Sequence, residues 1–316
     1  PKALVAFFKA MDFSTLTRRA AEYYEVDAAA IEPDPRYLRI GEGALEGLAE
    51  EEEAPAEAPT PGETAAGEPV HTPEALAAER KAEATATPVD RSGYETVTTE
   101  ERLDAWVAAI EAAGVVAVDT ETTSLDAMAC DLVGVSLAVA PGKACYVPVG
   151  HAADGEGMFT DGPVPEQLPR ALVLARLKRV LEDPAILKVG QNLKYDLIVL
   201  ENCGIALSPF DDTMLLSYAA DAGVTSHGMD ELSKRWLGHA PIAFKEVAGT
   251  GKAQVSFDKV PIERAAEYAA EDADVTLRLW RVLRPRLPAE GVTAVYETLE
   301  RPLAPVLARM EARGVR

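Results

Sequence analysis

The pattern of apolar side chains divides this chain into stretches with different periods. Leu4, Phe7, Phe8, Met11 and Phe13 recur at helical spacing, and Ser14-Thr15-Leu16-Thr17 opens a second helix. From 41 to 93 the period is lost. The run Glu50-Glu51-Glu52-Glu53 and repeated Pro, Ala, Thr and Glu leave too little apolar surface to offset ordering entropy, which predicts a flexible linker. Periodicity returns near Tyr94. Thr98-x-x-Glu101 reads as a capping box ahead of Leu103, Trp106, Val107 and Ile110, and Gly114 stops that helix. Strand-like runs follow at Val115–Asp119, Leu132–Val139 and Ala144–Val149. A helix over Glu166–Glu182 leads to a short strand at Ile186–Val189, and the pattern is mostly helical from there. The last helix, Pro302–Ala312, carries Leu303, Val306, Leu307 and Met310 on one face.

Sequential strands, a crossover helix and a further strand predict an α/β fold, a mixed sheet flanked by helices. The expected organisation is a helical tail of a preceding domain over 1–40, a linker over 41–93, the α/β domain over 94–298, and the first helix of a following domain over 299–316. Pro1 and the stop at Arg316 read as cuts through a longer polypeptide.

Composition adds limits. Of 316 residues 48% are hydrophobic, enough for a sizeable core, and no apolar stretch is long enough to span a membrane. Cys130, Cys145 and Cys203 are widely spaced and odd in number, which predicts free thiols in a reducing cytoplasm. A net charge of −21 argues against a polyanion partner, but residues 41–100 hold 15 acids and only 3 bases, so more than half of the excess sits in one segment.

Three acidic motifs carry the chemistry. In Val115-Val116-Ala117-Val118-Asp119-Thr120-Glu121, strand alternation puts Asp119 and Glu121 on one face, a pairing suited to a hard divalent cation. Gly190-Gln191-Asn192-Leu193-Lys194-Tyr195-Asp196 leads from a strand into a helix with Asp196 in its first turns. In Glu267-Tyr268-Ala269-Ala270-Glu271-Asp272-Ala273-Asp274, Tyr268 and Asp272 stand at i and i+4 on one helical face, while Glu271 and Asp274 are expected to point away into solvent.

Taken in this order, with Asp212-Thr213-Met214-Leu215 and Gly228-Met229-Asp230-Glu231-Leu232 between them, the motifs resemble the four-carboxylate exonucleases with a tyrosine four residues before the last aspartate. Over about 96–316 the chain is similar to the 3′→5′ proofreading domains of bacterial DNA polymerase I. That resemblance implies a ribonuclease H-like fold and removal of nucleotides from a DNA 3′ end. It implies catalytic roles for Asp119, Glu121, Asp196, Tyr268 and Asp272. Asp119, Glu121 and Asp272 would hold one divalent metal, with Asp119 and Asp196, the latter through water, at a second. Mg²⁺ is the expected ion, with Mn²⁺ and Zn²⁺ as alternatives. Tyr268, helped by Glu121, would orient the attacking water. Leu125 and Phe244 match positions that pack on the terminal bases, core packing being the other reading, and Gln191 and Asn192 match groups near the terminal nucleotide. Ser226, beside His227, stands where some relatives carry arginine. No role is expected for His151 or His239. The implied partners are a single-stranded or frayed DNA 3′ end and covalently linked 5′-nuclease and polymerase domains, in a monomeric, cytoplasmic protein. A catalytically silent spacer and an RNA-trimming exonuclease are the competing readings.

Overall fold

The computed structural model describes residues 2–10, 13–24, 26–34, 72–152, 165–224 and 226–315, which fall into two units divided between Glu68 and Pro69. In the first unit, α1 (Lys2–Ala10) and α2 (Ser14–Tyr23) bury Val5 and Ala21 against Ile31. Lys9 Nζ donates to the carbonyls of Ala28 (2.8 Å) and Ile31 (2.7 Å), closing a helical turn at Ala28–Ala30. Met11 and the expected linker up to residue 71 lie outside the described residues.

The second unit begins with α3 (Pro73–Ala86), followed by β1 (Glu95–Thr96), α4 (Glu100–Ala113), β2 (Val115–Thr122), β3 (Leu132–Ala140) and β4 (Lys143–Pro148). Then come α5 (Arg170–Leu181), β5 (Leu187–Gly190), α6 (Lys194–Asn202), β6 (Phe210–Asp212), α7 (Thr213–Asp221), α8 (Met229–Leu237) and α9 (Phe244–Ala248). The long α10 (Ile262–Leu283) is followed by α11 (Arg286–Ala289), α12 (Thr293–Val295), a π-helical turn at Tyr296–Glu300 and α13 (Arg301–Ala312). Strand order is β1-β4-β3-β2-β5-β6. β2, β3 and β4 are antiparallel, whereas β5 and β6 continue parallel to β2, and β1 is parallel to β4. This is a ribonuclease H-like mixed sheet.

Alternation along β2 decides which helices it meets. Val116 and Val118 pack with Ile110 of α4, Leu177 of α5, and Leu193 and Val199 at α6. Ala117 lies on the opposite face with Ala270, Ala273 and Leu277 of α10. Small residues let α10 lie close over the sheet, and Ala265, Ala266 and Ala269 continue that contact with Val133, Tyr146 and Phe257. The next outward positions on the α10 face are Asp119 and Glu121.

Sequence periodicity places β2, β3, β4, α5 and β5 within a few residues of their bounds, but three features differ. The helix cap is Thr99, whose hydroxyl accepts from the Arg102 N–H (3.3 Å), one residue later than expected. β1 and β6 are two and three residues long, too short to show any period. The linker expected over 41–93 gives way to helix from Pro73. Thr72 caps α3 by accepting from the Ala75 N–H (3.2 Å), Lys81 lies 5.2 Å from the Trp236 ring centre, and Glu83 accepts from Arg281 (2.6 Å). Alanine-rich composition, read as part of a flexible linker, is here good helix-forming composition docked by a few long side chains.

Close backbone approach at Gly134, opposite Glu121 on β2, admits the buried ring of Tyr146. A Cβ there would stand 2.2 Å from that ring. The Tyr146 hydroxyl donates to His151 Nε2 (2.8 Å), since His151 Nδ1 must donate to the Val260 carbonyl (3.0 Å). Burial lowers the His151 pKa, so this histidine, without a role in the sequence reading, is a neutral strut. Gly134→Ala is expected to displace Tyr146 and cost about 1–3 kcal/mol or more through overpacking. Urea unfolding of the variant beside the parent checks it.

Candidate active site

Two elements build an acidic floor. Carboxylate oxygens of Asp119 and Glu121 on β2 and Asp272 on α10 all lie within 4.8 Å of one another. Asp119 is half-buried, while Glu121 and Asp272 are buried. Tyr268, one turn before Asp272, lines the same cleft, and its phenol lowers the Asp272 carboxyl against the burial that raises it. Asp196 comes from the opposite face of β2, where Thr120 projects. Its Oδ1 accepts from the Thr120 N–H (3.0 Å) and hydroxyl (2.5 Å), so the fourth acid is held at the strand but outside the close trio.

Burial without compensation dominates the electrostatics. Desolvation pushes the Asp119 carboxyl up to about 6, against a lowering contribution from the Thr120 N–H. Glu121 is raised well above its usual range, first by burial and then by the charges of Asp119, Asp272 and Asp196. Burial and then the Asp119 charge do the same to Asp272 and Asp196. The Tyr268 phenol is driven upward by burial and by Asp272, Glu121 and Asp119, and stays protonated at neutral pH. The buried Oε1 of Glu121 has no hydrogen-bond partner among the described residues. Oxygen-only donors, mutual repulsion and an orphaned buried acceptor together fit a hard divalent cation.

Around this floor opens a cleft of about 620 Å³ lined by Asp119, Glu121, Tyr268 and Asp272 together with Leu125, Gln191 and Phe244. Leu125 is 96% exposed, so core packing is excluded for it. Its loop is fastened by Tyr195, whose hydroxyl donates to the Ser124 carbonyl (2.6 Å) and meets the Thr122 hydroxyl (2.5 Å). Phe244 is 41% exposed, with its ring stacked on Phe257 at 6.3 Å and edge-on to Tyr268 at 6.2 Å. Gln191 is held by the Thr213 hydroxyl (2.5 Å) and donates to the His227 carbonyl (2.9 Å). Asn192 adopts φ 57°, which asparagine tolerates better than most residues, and lines the neighbouring groove rather than the acidic cleft. His227 is a structural residue here, its Nδ1 2.9 Å from the Ser217 hydroxyl, and Ser226 accepts weakly from the Gly228 N–H (3.4 Å).

Glu271 and Asp274, expected in solvent, are instead fully buried. Asp274 takes Arg278 (3.0 Å), the Tyr94 hydroxyl (2.9 Å) and the Gly142 N–H (2.9 Å), and Glu271 is similarly enclosed by donors. Helical spacing identifies the face but not distant partners, and these lie up to 180 residues away. Sequence reasoning also gave no role to Thr120 or Asp212. Asp212 accepts from the N–H groups of Leu193 (2.8 Å), Asn192 (3.1 Å) and Met214 (2.9 Å), bracing the turn that delivers Asp196. The Asp-Thr-Met-Leu string was its only signal.

A ribonuclease H-like sheet with carboxylates converging at its central strand defines a nuclease domain. The 3′-5′ exonuclease family model matches residues 94–288. DNA polymerase I of Rhizobium leguminosarum is 50% identical over 336 residues, covering 99% of this chain and 33% of that protein. Its counterpart from Pseudomonas aeruginosa is 48% identical over 225 residues, covering 70% of this chain and 24% of that protein. This chain belongs to the 3′-5′ exonuclease family, as the exonuclease domain of a DNA polymerase I. It spans about a third of the Rhizobium relative's length. Among solved structures, the catalytic core of RRP6 from Trypanosoma brucei matches with TM-score 0.52 at 17% identity, over 69% of this chain and 54% of that one. Brucella melitensis NrnC with bound Mg²⁺ matches with TM-score 0.50 at 22% identity, over 70% and 93%. At such identities these two show the fold alone. Among the described residues no helix is long and apolar enough to cross a membrane.

The raised carboxyl pKa of Asp119 fixes a sign. Between its ordinary 3.8 and about 6 the folded state holds a proton that the unfolded state has lost, so metal-free stability falls as pH rises through that window. A divalent ion binds the ionised form and restores stability above it. MgCl₂ is therefore expected to raise the melting temperature at pH 7.5 and to leave it nearly unchanged at pH 4.5. Asp119→Asn should raise the metal-free melting temperature at pH 7.5 and blunt the Mg²⁺ response, both readable by thermal denaturation.

Proposed function

We propose that this domain removes nucleotides one at a time from a DNA 3′ end by a two-metal-ion hydrolysis, as the proofreading module of a DNA polymerase I. The observation that carries this reading is the convergence of Asp119, Glu121 and Asp272 beside Tyr268 in one open cleft. Asp119, Glu121 and Asp272 would hold one ion, and Asp119 with Asp196 a second, Asp196 acting through water in keeping with the oxygen it has committed to Thr120. When bound, two divalent ions, Mg²⁺ as the expected pair, supply charge neutralisation at the attacking and leaving oxygens of the phosphodiester.

The chain's own residues supply binding and orientation. Exposed Leu125 and half-exposed Phe244 offer apolar surfaces to the terminal bases, a sequence-tolerant contact suited to a single strand. Gln191, already fixed by Thr213 and His227, faces the terminal nucleotide. Tyr268 stays protonated beside its acids, so its hydroxyl positions the attacking water and Glu121 is left to accept that water's proton. In the full protein the domain would be joined to 5′-nuclease and polymerase domains, acting as a cytoplasmic monomer on a frayed primer end.

A 5′-labelled single-stranded DNA oligonucleotide incubated with the protein should shorten stepwise from its 3′ end with Mg²⁺ and remain intact with chelator. The same RNA oligonucleotide should be degraded more slowly. Asp119→Ala with Glu121→Ala is expected to lower the rate by roughly 10³-fold or more, and Tyr268→Phe by on the order of 10². Full activity in the double variant, or a preference for RNA, overturns the reading. A folded wild-type protein that binds Mg²⁺ but cuts neither strand identifies a silent spacer.

A further inference from the structure

Beside the cleft lies a carboxylate that the hydrolysis does not use. Glu271 immediately precedes Asp272 on α10, and its side chain has 0% exposure. Three donors from two distant segments enclose it. Its Oε1 accepts from Arg91 Nε (2.7 Å) and His239 Nε2 (2.8 Å), and its Oε2 from the Ile242 N–H (2.6 Å). A carboxylate can only accept, so His239 carries its proton on Nε2. Arg91 comes from the turn ahead of β1, while His239 and Ile242 belong to the loop that enters α9.

That loop controls a substrate-facing ring. Ile242 is two residues before Phe244 and packs in the same cluster as Tyr268, Val247 and Phe257. α9 has only five residues, too few to hold a place by helical propensity, and no side chain caps its start. Besides the packing of Ile242 and Phe244 on Phe257 and Tyr268, its leading end is anchored by the bonds from Ile242 and His239 to Glu271. Residue 271 thus joins the helix that bears Tyr268 and Asp272 to the loop that bears Phe244.

We infer that Glu271 is a positioning residue, which clamps the 239–242 loop to α10 and so sets where Phe244 meets the terminal base of the 3′ end. The inference rests on the exonuclease function proposed above. Glu271 touches neither substrate nor metal in this assignment; it acts through Phe244. A purely fold-stabilising role would instead lower the amount of folded protein without changing how Phe244 contributes to binding.

A double-variant cycle separates these roles. Glu271→Gln keeps the shape but turns an amide NH₂ toward the Ile242 N–H or toward Arg91 and His239, where an acceptor is needed. With single-stranded DNA and Mg²⁺, Glu271→Gln is expected to raise KM about fivefold while kcat stays within about twofold. Phe244→Ala is expected to raise KM by at least as much. Combining the two should raise KM no further than Phe244→Ala alone, the non-additivity of residues that work through one contact. Additive KM effects, or a loss confined to kcat, overturn the inference. Should Glu271→Gln lack the native circular dichroism spectrum, Arg91→Met and His239→Asn enter the same cycle, each leaving Glu271 two of its three donors. Wild-type protein that leaves the oligonucleotide intact refutes the exonuclease reading instead. The positioning role is then still tested by fluorescence anisotropy of the labelled oligonucleotide in chelator. Weaker binding by Glu271→Gln that vanishes in the Phe244→Ala background supports it, and equal binding overturns it.

Discussion

Asp119, Glu121 and Asp272 present carboxylate oxygens within 4.8 Å of one another at a partly enclosed point of the sheet, and this repulsion is the constraint around which the second unit is arranged. Left alone, the acids would either protonate or drag water into the core. The protein offers only partial relief. Tyr268 lowers the pKa of Asp272 and the Thr120 N–H that of Asp119 only in part, while one Glu121 oxygen has no hydrogen-bond partner among the described residues. Rigidity must therefore come from elsewhere. It comes from the small residues that seat α10 on the sheet and from the ion pairs that its acids make, Asp274 with Arg278 on the same helix and Glu271 with Arg91 ahead of β1.

The helix is thus charged in two different ways along one length. Its cleft-facing acid, Asp272, is only partly compensated, while Glu271 and Asp274 on either side of it are enclosed by donors. Pairing Glu271 with half-buried Arg91 and Asp274 with buried Arg278 offsets these charges, although Glu271 still adds to the upward push on Asp272. A buried ion pair is a poor source of net stability, so its use here is better understood as fixing geometry. On the other side of the sheet Asp212 plays a comparable part, its oxygens gathering backbone N–H groups from two turns so that α6 begins in the right place.

Much of this was legible in the sequence, for identifiable reasons. Alternation alone sets Asp119 and Glu121 on one face of β2, and i, i+4 spacing sets Tyr268 over Asp272, because both relations are local. Asp196 was legible as a helix-borne acid, but not its approach to Thr120 from the far side of β2, since the crossing of the sheet is a tertiary fact. Glu271 and Asp274 were misread because a charge run on a helix is ordinarily solvated, and the cations that bury these two come from Arg91 and from a turn further along α10. Leu125 could not be assigned to core or surface from its apolarity, and only the loop held by Tyr195 decides it.

The docking of α3 has a consequence for how this domain is delimited. The family model's match begins at residue 94, yet the Thr87 carbonyl accepts from Arg278 (2.7 Å), Glu83 from Arg281, and Ala84 and Val89 pack with Trp236 and Leu279. The stretch that the family model matches and the unit that shares a core therefore start at different residues. A chimera spliced at residue 94 would carry its catalytic residues intact while stripping the outer side of the helix that holds two of them.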